Sequence, residues 1–294
     1  MKNYLLFQAY GFREIFDECR FFLMRFAATA TSWEKENINI VIYTNNNSVF
    51  DEWVSVLPNI LFVQMPMEQF ACWRGNIDFV HRVKIEIIRH FFSLHSGNLL
   101  YCDTDTYPIQ SLQPLYEGIN DGKIYMHTCE GKISNTPQFK KWLNFLSRNP
   151  HLPFFKKEVA DTTMWNAGVI GFNNDHKDVL SAILKLTDTV YPLFKKHTVE
   201  QFAFSYSLQQ LKVINAADMY IYHYWNLKEF RILLNSWFSK NKETDIKNLI
   251  TTSRIISPQQ ISTEKFSFLN KSKFFQFYKK LKQQNWNIEN YMPK

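Results

Sequence analysis

An α/β fold, a sheet covered by helices, is what this sequence predicts, on three observations. Short apolar runs alternate with segments of helical periodicity along the first 225 residues. The chain has 294 residues, 46% of them hydrophobic and 21% charged, enough for one large core and ordinary for a globular protein. With only 8 Gly and 10 Pro it carries no linker or low-complexity stretch, and no internal repeat is visible.

The elements follow in order. Residues 4–9 read as a first strand ending at Tyr10-Gly11, and 16–29 as a helix. Residues 38–43 form a β-branched strand that runs into Thr44-Asn45-Asn46-Asn47, a turn cluster. A strand at 60–65 is halted by Pro66. The periodicity predicts a helix over 76–95, with Gly97 as its left-handed cap. The apolar run 99–102 follows, then strands at 123–127 and 169–172, a helix at 198–211 and a strand at 219–224. Beyond Trp225 two amphipathic helical stretches, 227–239 and 271–284, are separated by a polar segment containing Pro258. This divides the chain into a main domain, 1–225, and a small helical C-terminal extension, 226–294. In the last stretch Phe274, Phe277, Tyr278 and Leu281 share one face amid Lys271, Lys273, Lys279, Lys280 and Lys282. Such a face suits either an anionic membrane surface or plain packing with solvated lysines.

The most informative residues are Leu99-Leu100-Tyr101-Cys102-Asp103-Thr104-Asp105-Thr106-Tyr107-Pro108. If the strand runs through them, Asp103 and Asp105 point to one side with Cα atoms about 6.6 Å apart. One divalent cation then bridges both carboxylates and the oxygens of a diphosphate, and hard oxygen ligands suit Mg²⁺ or Mn²⁺. The alternative is a solvated turn; the apolar strand before the pair favours the metal site.

Other candidates have weaker local signals. Asn166 and Gly168, after Trp165, offer an amide and a close backbone approach, against the reading of a tight loop with Trp165 in the core. His223 ends an aromatic strand and serves either as a core residue or as a third metal ligand. Thr198 and Gln201 fit a capping box with Glu200 in the first helical turn, a position that also suits a functional carboxylate. Arg82 and Lys84, early in the 76–95 helix, lie near the end of the acid-bearing strand if helix and strand run antiparallel.

Composition narrows the partners. A net charge of +7 favours anionic ligands, but the lysines of the first 220 residues are scattered and no nucleic-acid motif is present. Cys19, Cys72, Cys102 and Cys129 lack zinc-like spacing and read as reduced thiols, which points to the cytoplasm. No apolar run approaches the roughly 20 residues of a membrane span, and no signal-peptide core is visible. The 27 Phe, 14 Tyr and 8 Trp leave rings to line surfaces, sugar faces among them.

Taken in order, the Arg82/Lys84 helix, LLYCDTDTYP (99–108), WNAGVIGF (165–172), EQFAFSYSL (200–208) and HYW (223–225) resemble the GT-A class of nucleotide-sugar-dependent glycosyltransferases, of the kind that builds bacterial surface glycans. The resemblance spans roughly residues 1–225. It implies a Rossmann-like mixed central sheet flanked by helices and a nucleotide diphospho-sugar donor, most often UDP-linked. Asp103 and Asp105 then hold Mn²⁺ or Mg²⁺, with Thr104, Arg82 and Lys84 beside the diphosphate. Ala9 and Tyr10 form the edge for the base, with the Tyr10 ring stacking. Trp165, Asn166 and Gly168 face the donor sugar, and His127 and Glu130 face the acceptor, a glycan or glycolipid.

His223 corresponds to the C-terminal metal or phosphate contact of glycogenin-like and lipooligosaccharide galactosyltransferase-like members. Those continue with a glycine and Lys-Pro-Trp, where this chain has Tyr224-Trp225-Asn226. Glu200 and Gln201 lie near the anomeric carbon. An inverting reaction takes its base from Glu200 or Glu130, whereas a retaining one uses Gln201 to position the sugar. The resemblance implies a hexosyl- or N-acetylhexosaminyltransferase, cytoplasmic or peripheral on the inner membrane face through 271–284. Competing functions are a sugar-phosphate nucleotidyltransferase and a catalytically silent nucleotide- or glycan-binding protein. The first is disfavoured, because Tyr10-Gly11-Phe12-Arg13-Glu14 is not a glycine-rich phosphate loop.

Overall fold

A computed structural model describes residues 1–152, 155, 158–281 and 286–291. Its strands are β1 (Asn3–Ala9), β2 (Ile38–Thr44), β3 (Ile60–Gln64), β4 (Asn98–Cys102), β5 (Thr106–Pro108), β6 (Ile124–Met126), β7 (Cys129–Lys132), β8 (Thr163–Trp165), β9 (Val169–Asn173), β10 (Ile214–Ala216) and β11 (Ile221–His223). Its helices are α1 (Arg13–Thr29), α2 (Ser32–Asn37), α3 (Met67–Trp73), α4 (Arg82–Leu94), α5 (Gln113–Asn120), α6 (Lys140–Arg148), α7 (Val179–Val190), α8 (Val199–Gln209), α9 (Phe230–Lys240), α10 (Ile246–Ser253), α11 (Pro258–Leu269) and α12 (Lys273–Leu281).

Seven strands form one mixed sheet in the order β10-β6-β9-β4-β1-β2-β3. β4, β1, β2 and β3 run parallel, β9 is antiparallel to both β4 and β6, and β10 is parallel to β6. Strands buried on both faces lose the polar half of the usual alternation, which is why β1, β2 and β4 are almost wholly apolar. Alternation still decides where each side chain goes. Leu5 and Phe7 join the core under α1, α5, α9 and α10, whereas Tyr4 and Leu6 join the core under α4, α7 and α8. Helix α8 is buried around most of its circumference, so it carries little polar face.

Residues after 226 pack into the first of these cores. Phe230, Leu233, Trp237, Leu249, Ile261 and Ile288 share it with Phe21 and Phe22 of α1. The face expected over 271–284 falls partly outside the described residues: 282–285 and the side chains of Phe277, Tyr278, Lys280 and Leu281 are not among them. Phe274 is 80% exposed.

Three local expectations are corrected. The helix expected over 76–95 begins only at Arg82, because Gly75 and Asp78 adopt positive φ and turn the chain first. It ends with His95 extended, so Gly97 is not its cap. Gly97 is required for another reason: at φ +152° a Cβ there would lie 2.3 Å from the Lys2 carbonyl oxygen, where Asn98 N–H bonds into β1. The capping box at Thr198 is absent as well. The Thr198 hydroxyl instead accepts from Trp142 Nε1 at 3.0 Å, and no side chain caps α8.

Gly97→Ala should therefore destabilise the protein by about 1–3 kcal/mol. Urea denaturation should show a lower midpoint at unchanged slope; an unchanged midpoint would refute the close-approach account.

Candidate active site

Strand β4 ends at Cys102, and the two acids lie on a turn rather than on an extended strand. The Thr106 hydroxyl closes that turn by donating to the Asp103 carbonyl at 2.7 Å, and the chain resumes as β5. The turn is shielded rather than solvated, with the side chains of Asp103 and Asp105 only 25% and 16% exposed. On one side, Asp103 N–H donates to the Gly168 carbonyl at 2.8 Å. On the other, β5 pairs antiparallel with β11, placing His223 opposite Thr106, and Tyr224 N–H donates to the Asp105 carbonyl at 3.0 Å. One ligand atom each from Asp103, Asp105 and His223 thereby lie within 4.8 Å of one another.

The hydrogen bonds around Asn166 bear on what joins them. Asn166 Oδ1 accepts from Gly168 N–H at 3.0 Å, and Nδ2 donates to Glu130 Oε1 at 3.2 Å, which assigns the amide orientation. Oδ1 is then an acceptor for His223 Nδ1, 2.9 Å away, and the imidazole proton belongs on Nδ1. In the neutral ring, Nε2 turns a lone pair toward Asp105 Oδ1 at 3.0 Å. Two lone pairs at that distance repel unless a proton or a cation lies between them. An imidazole whose far nitrogen donates to a fixed acceptor is the usual arrangement of a metal-ligating histidine. Two carboxylates with one imidazole suit Mn²⁺ or Mg²⁺, so the residues present fit such an ion. Burial works against the Asp105 carboxylate, but a protonated His223, with Lys228 and Arg231 nearby, would lower its pKa overall.

Behind the turn is a buried cation. Lys84, in the first turn of α4, places Nζ 3.1 Å from the Asp103 carboxylate, 3.1 Å from Glu200 Oε1 and 2.9 Å from the Ala167 carbonyl. Burial alone would pull the ammonium down, but the two carboxylates more than reverse this and its pKa is raised. Glu200, buried at the start of α8, is pushed up to about 7 by its burial, against the pull of Lys84. Tyr101 donates its hydroxyl to Asp103 Oδ1 at 2.8 Å.

Glu130 is partly exposed. It accepts from Asn166 Nδ2 and, at 2.7 Å, from Gln201 Nε2, so two amides set its direction. Trp165 is held by its backbone N–H on Ser205 Oγ, 2.9 Å away. His127 is buried; its Nε2 donates to the Ile221 carbonyl at 3.0 Å, and burial lowers its pKa to about 4.

A cavity of about 710 Å³ opens at the carboxyl ends of β1 and β4, against Asp103, Thr104 and Asp105. That volume suits a nucleotide-sized ligand, and this end of a parallel sheet is where such ligands bind. Tyr10 lines it, stacked on Phe70 with ring centres 3.9 Å apart and planes 6° from parallel. Arg74, His81, Lys228 and Arg231 add positive or neutral nitrogen donors to its wall. Burial depresses His81 to about 4, leaving its imidazole neutral.

Of the expected donor contacts, Tyr10, Asp103, Thr104 and Asp105 line this cavity, while Ala9, Arg82, Lys84, Trp165, Asn166 and Gly168 do not. Arg82 turns its guanidinium to Asp188 at 2.7 Å, Glu86 at 2.9 Å and the Trp73 carbonyl at 2.7 Å, on the far side of the α4 first turn from Lys84. Ala9 is fully buried, and its neighbours Gln8 and Tyr10 reach the cavity instead. Arg74, Lys228, Arg231 and His81 were not singled out from the sequence. For Lys228 and Arg231 the available signal was their closeness in sequence to His223, in the turn before α9 and in its first turn.

No protein-family model and no curated protein sequence matches the chain. Among solved structures it is similar to apo mouse xyloside xylosyltransferase 1, at 12% identity and a TM-score of 0.49, over 74% of this chain and 85% of that one. It is similar to the glycosyltransferase GlyE of Streptococcus pneumoniae TIGR4, at 11% identity and a TM-score of 0.45, over 84% of this chain and 51% of that one. It is also similar to the bifunctional glycosyltransferase WbbM in its apo form, at 10% identity and a TM-score of 0.47, over 73% of this chain. The match spans 38% of WbbM, so this chain corresponds to about half or less of two of these three.

Two substitutions test the site's construction. A Cβ on Gly168 would lie 2.3 Å from His223 Cε1 and Nδ1. Gly168→Ala should therefore displace the ring and weaken Mn²⁺ binding at least tenfold, read by calorimetric titration, in protein that still melts cooperatively; wild-type Mn²⁺ affinity would dismiss His223 as a ligand. Lys84→Met leaves Glu200 buried without its cation and should cost about 3–5 kcal/mol by chemical denaturation, whereas a loss under about 1 kcal/mol would mean the ion pair is not what holds these elements.

Proposed function

We propose that the protein is a metal-dependent glycosyltransferase of the GT-A class, moving a sugar from a nucleotide diphospho-sugar, UDP-linked, to a glycan or glycolipid acceptor. The observation that carries this reading is the pairing of His223 Nε2 with Asp105 Oδ1 while Asn166 takes the proton on Nδ1, beside a nucleotide-sized cavity. A divalent cation held by Asp103, Asp105 and His223 supplies Lewis-acid stabilisation of a departing diphosphate.

The protein's own groups do the rest. Lys84 keeps the Asp103 carboxylate in position, and Lys228 and Arg231 present positive charge to the phosphates. Tyr10, stacked on Phe70, offers an aromatic wall for the base. Glu130, aimed by Asn166 and Gln201, takes the proton of the acceptor hydroxyl in an inverting reaction; in a retaining one the Gln201 amide positions the sugar. Glu200 is set aside as the base, because it is buried and committed to Lys84. The reading places the protein in the cytoplasm. Among the described residues no helix is long and apolar enough to cross a membrane, and the basic stretch 271–284 is the part that would meet an anionic inner-leaflet surface.

Incubation with a panel of UDP-, GDP- and CMP-sugars should reveal slow sugar release from a UDP-sugar that requires Mn²⁺ or Mg²⁺ and stops in EDTA. Asp103→Asn and Asp105→Asn should each lower that rate at least about 100-fold, the scale of a lost Lewis-acid contact, without loss of the folded state. Equal rates with and without chelator would refute metal dependence, and nucleotide binding without turnover on any donor would favour a silent binding protein.

A further inference from the structure

Away from the acid turn lies a second concave feature, walled by a basic part of the chain. Residues 132–157 and 189–199 hold eight Lys and Arg and no Asp or Glu, in a chain with 27 acidic residues. Lys156 and Lys157 lie outside the described residues; the other six, Lys132, Lys140, Lys141, Arg148, Lys195 and Lys196, are all exposed. Among the described residues none of these six forms a salt bridge. The fold sets the two segments side by side: the Phe194 ring stacks on Phe145 of α6 at 4.7 Å and tilts against Trp142 at 4.6 Å.

A groove of about 480 Å³ opens between α6 and the turn that joins α7 to α8. Lys141, Asn144 and Arg148 line it at i, i+3 and i+7, one face of α6, which sets the two cations about 10.5 Å apart along the helix with an amide between them. Opposite them, Leu193 is 57% exposed and Phe194 half-buried. No lining residue is acidic. Unpaired cations beside an amide and an apolar wall match a molecule that presents carboxylates, hydroxyls and C–H faces together, which is an acidic sugar chain. A bilayer surface takes up an apolar helix face, whereas α6 here offers charge and amide in a hollow.

The groove adjoins the acceptor side of the site. Trp142 donates its Nε1 to Thr198 Oγ1 at 3.0 Å; α8 begins at the next residue and carries Gln201, bonded to Glu130. Gln138, three residues before Lys141, donates Nε2 to the Glu130 carbonyl at 3.4 Å.

We propose that this groove binds an acidic glycan, with Lys141 and Arg148 on its carboxylates and Leu193 and Phe194 against its rings. That this glycan is the far part of the acceptor chain rests on the glycosyltransferase reading, and it narrows the acceptor to an anionic one; the binding itself is read without turnover.

Titration of the full chain with oligogalacturonate, neutral dextran of the same length, phosphatidylglycerol vesicles and oligothymidylate reads the proposal. Wild-type protein should bind oligogalacturonate at least about tenfold more tightly than dextran. The double variant Lys141→Gln with Arg148→Gln changes two exposed side chains that the fold does not use, and should weaken oligogalacturonate binding at least about fivefold. Lys242→Gln with Lys247→Gln removes the same charge from exposed lysines elsewhere and should leave that affinity within about twofold. Equal losses in the two double variants would reduce the effect to net charge and overturn the proposal. So would wild-type affinity in the Lys141 and Arg148 variant, failure of the wild type to bind oligogalacturonate, or tighter binding of vesicles or oligothymidylate through the same two residues. Oligogalacturonate binding that needs Lys141 and Arg148, with no sugar release from any donor, would sink the transferase reading alone. Metal-dependent sugar release, with oligogalacturonate binding indifferent to Lys141 and Arg148, would sink the groove alone.

Discussion

The rest of the site depends on one buried ammonium. Lys84 reaches from the first turn of α4 to Asp103 after β4, the Ala167 carbonyl before β9 and Glu200 at the start of α8. Four segments distant in sequence are fixed at one point by it. Separating any of them would leave a charge in a low-dielectric interior without its partner, a penalty well above that of one lost surface ion pair. The acid turn is therefore held from behind, and Asp103 is positioned before any ligand arrives.

A second constraint comes from the one antiparallel strand between β4 and β6. Because β9 runs back along β4, the loop that precedes it arrives beside the acid turn, with Gly168 bonded to Asp103 and Asn166 bonded to His223. Only a glycine fits against the imidazole there. The β5–β11 ribbon brings His223 from the other side. Backbone pairing thus does most of the positioning, and the reactive side chains need only short reaches.

How much of this was legible depended on the kind of signal each residue carried. β1, β2 and β4 were visible because burial on both faces leaves unbroken apolar runs. β5, β7, β8 and β10 were not, since three or four residues show no period. The extended line expected through Asp105 failed because the Thr106 hydroxyl turns the chain, yet the two acids still converge. Lys84 and Arg82 looked alike in sequence, and only the packing of α4 sends one inward and the other to Asp188. Arg74 gave no local sign at all, because its place on the cavity wall is made by tertiary contacts.

Pulsed electron paramagnetic resonance of Mn²⁺ bound to the protein in the presence of UDP addresses the ligand set most directly. The account predicts electron spin-echo modulation from one directly coordinated ¹⁴N, lost when His223 is replaced by Gln. Bound manganese with an all-oxygen coordination sphere in the wild-type protein, or no bound manganese, would contradict it.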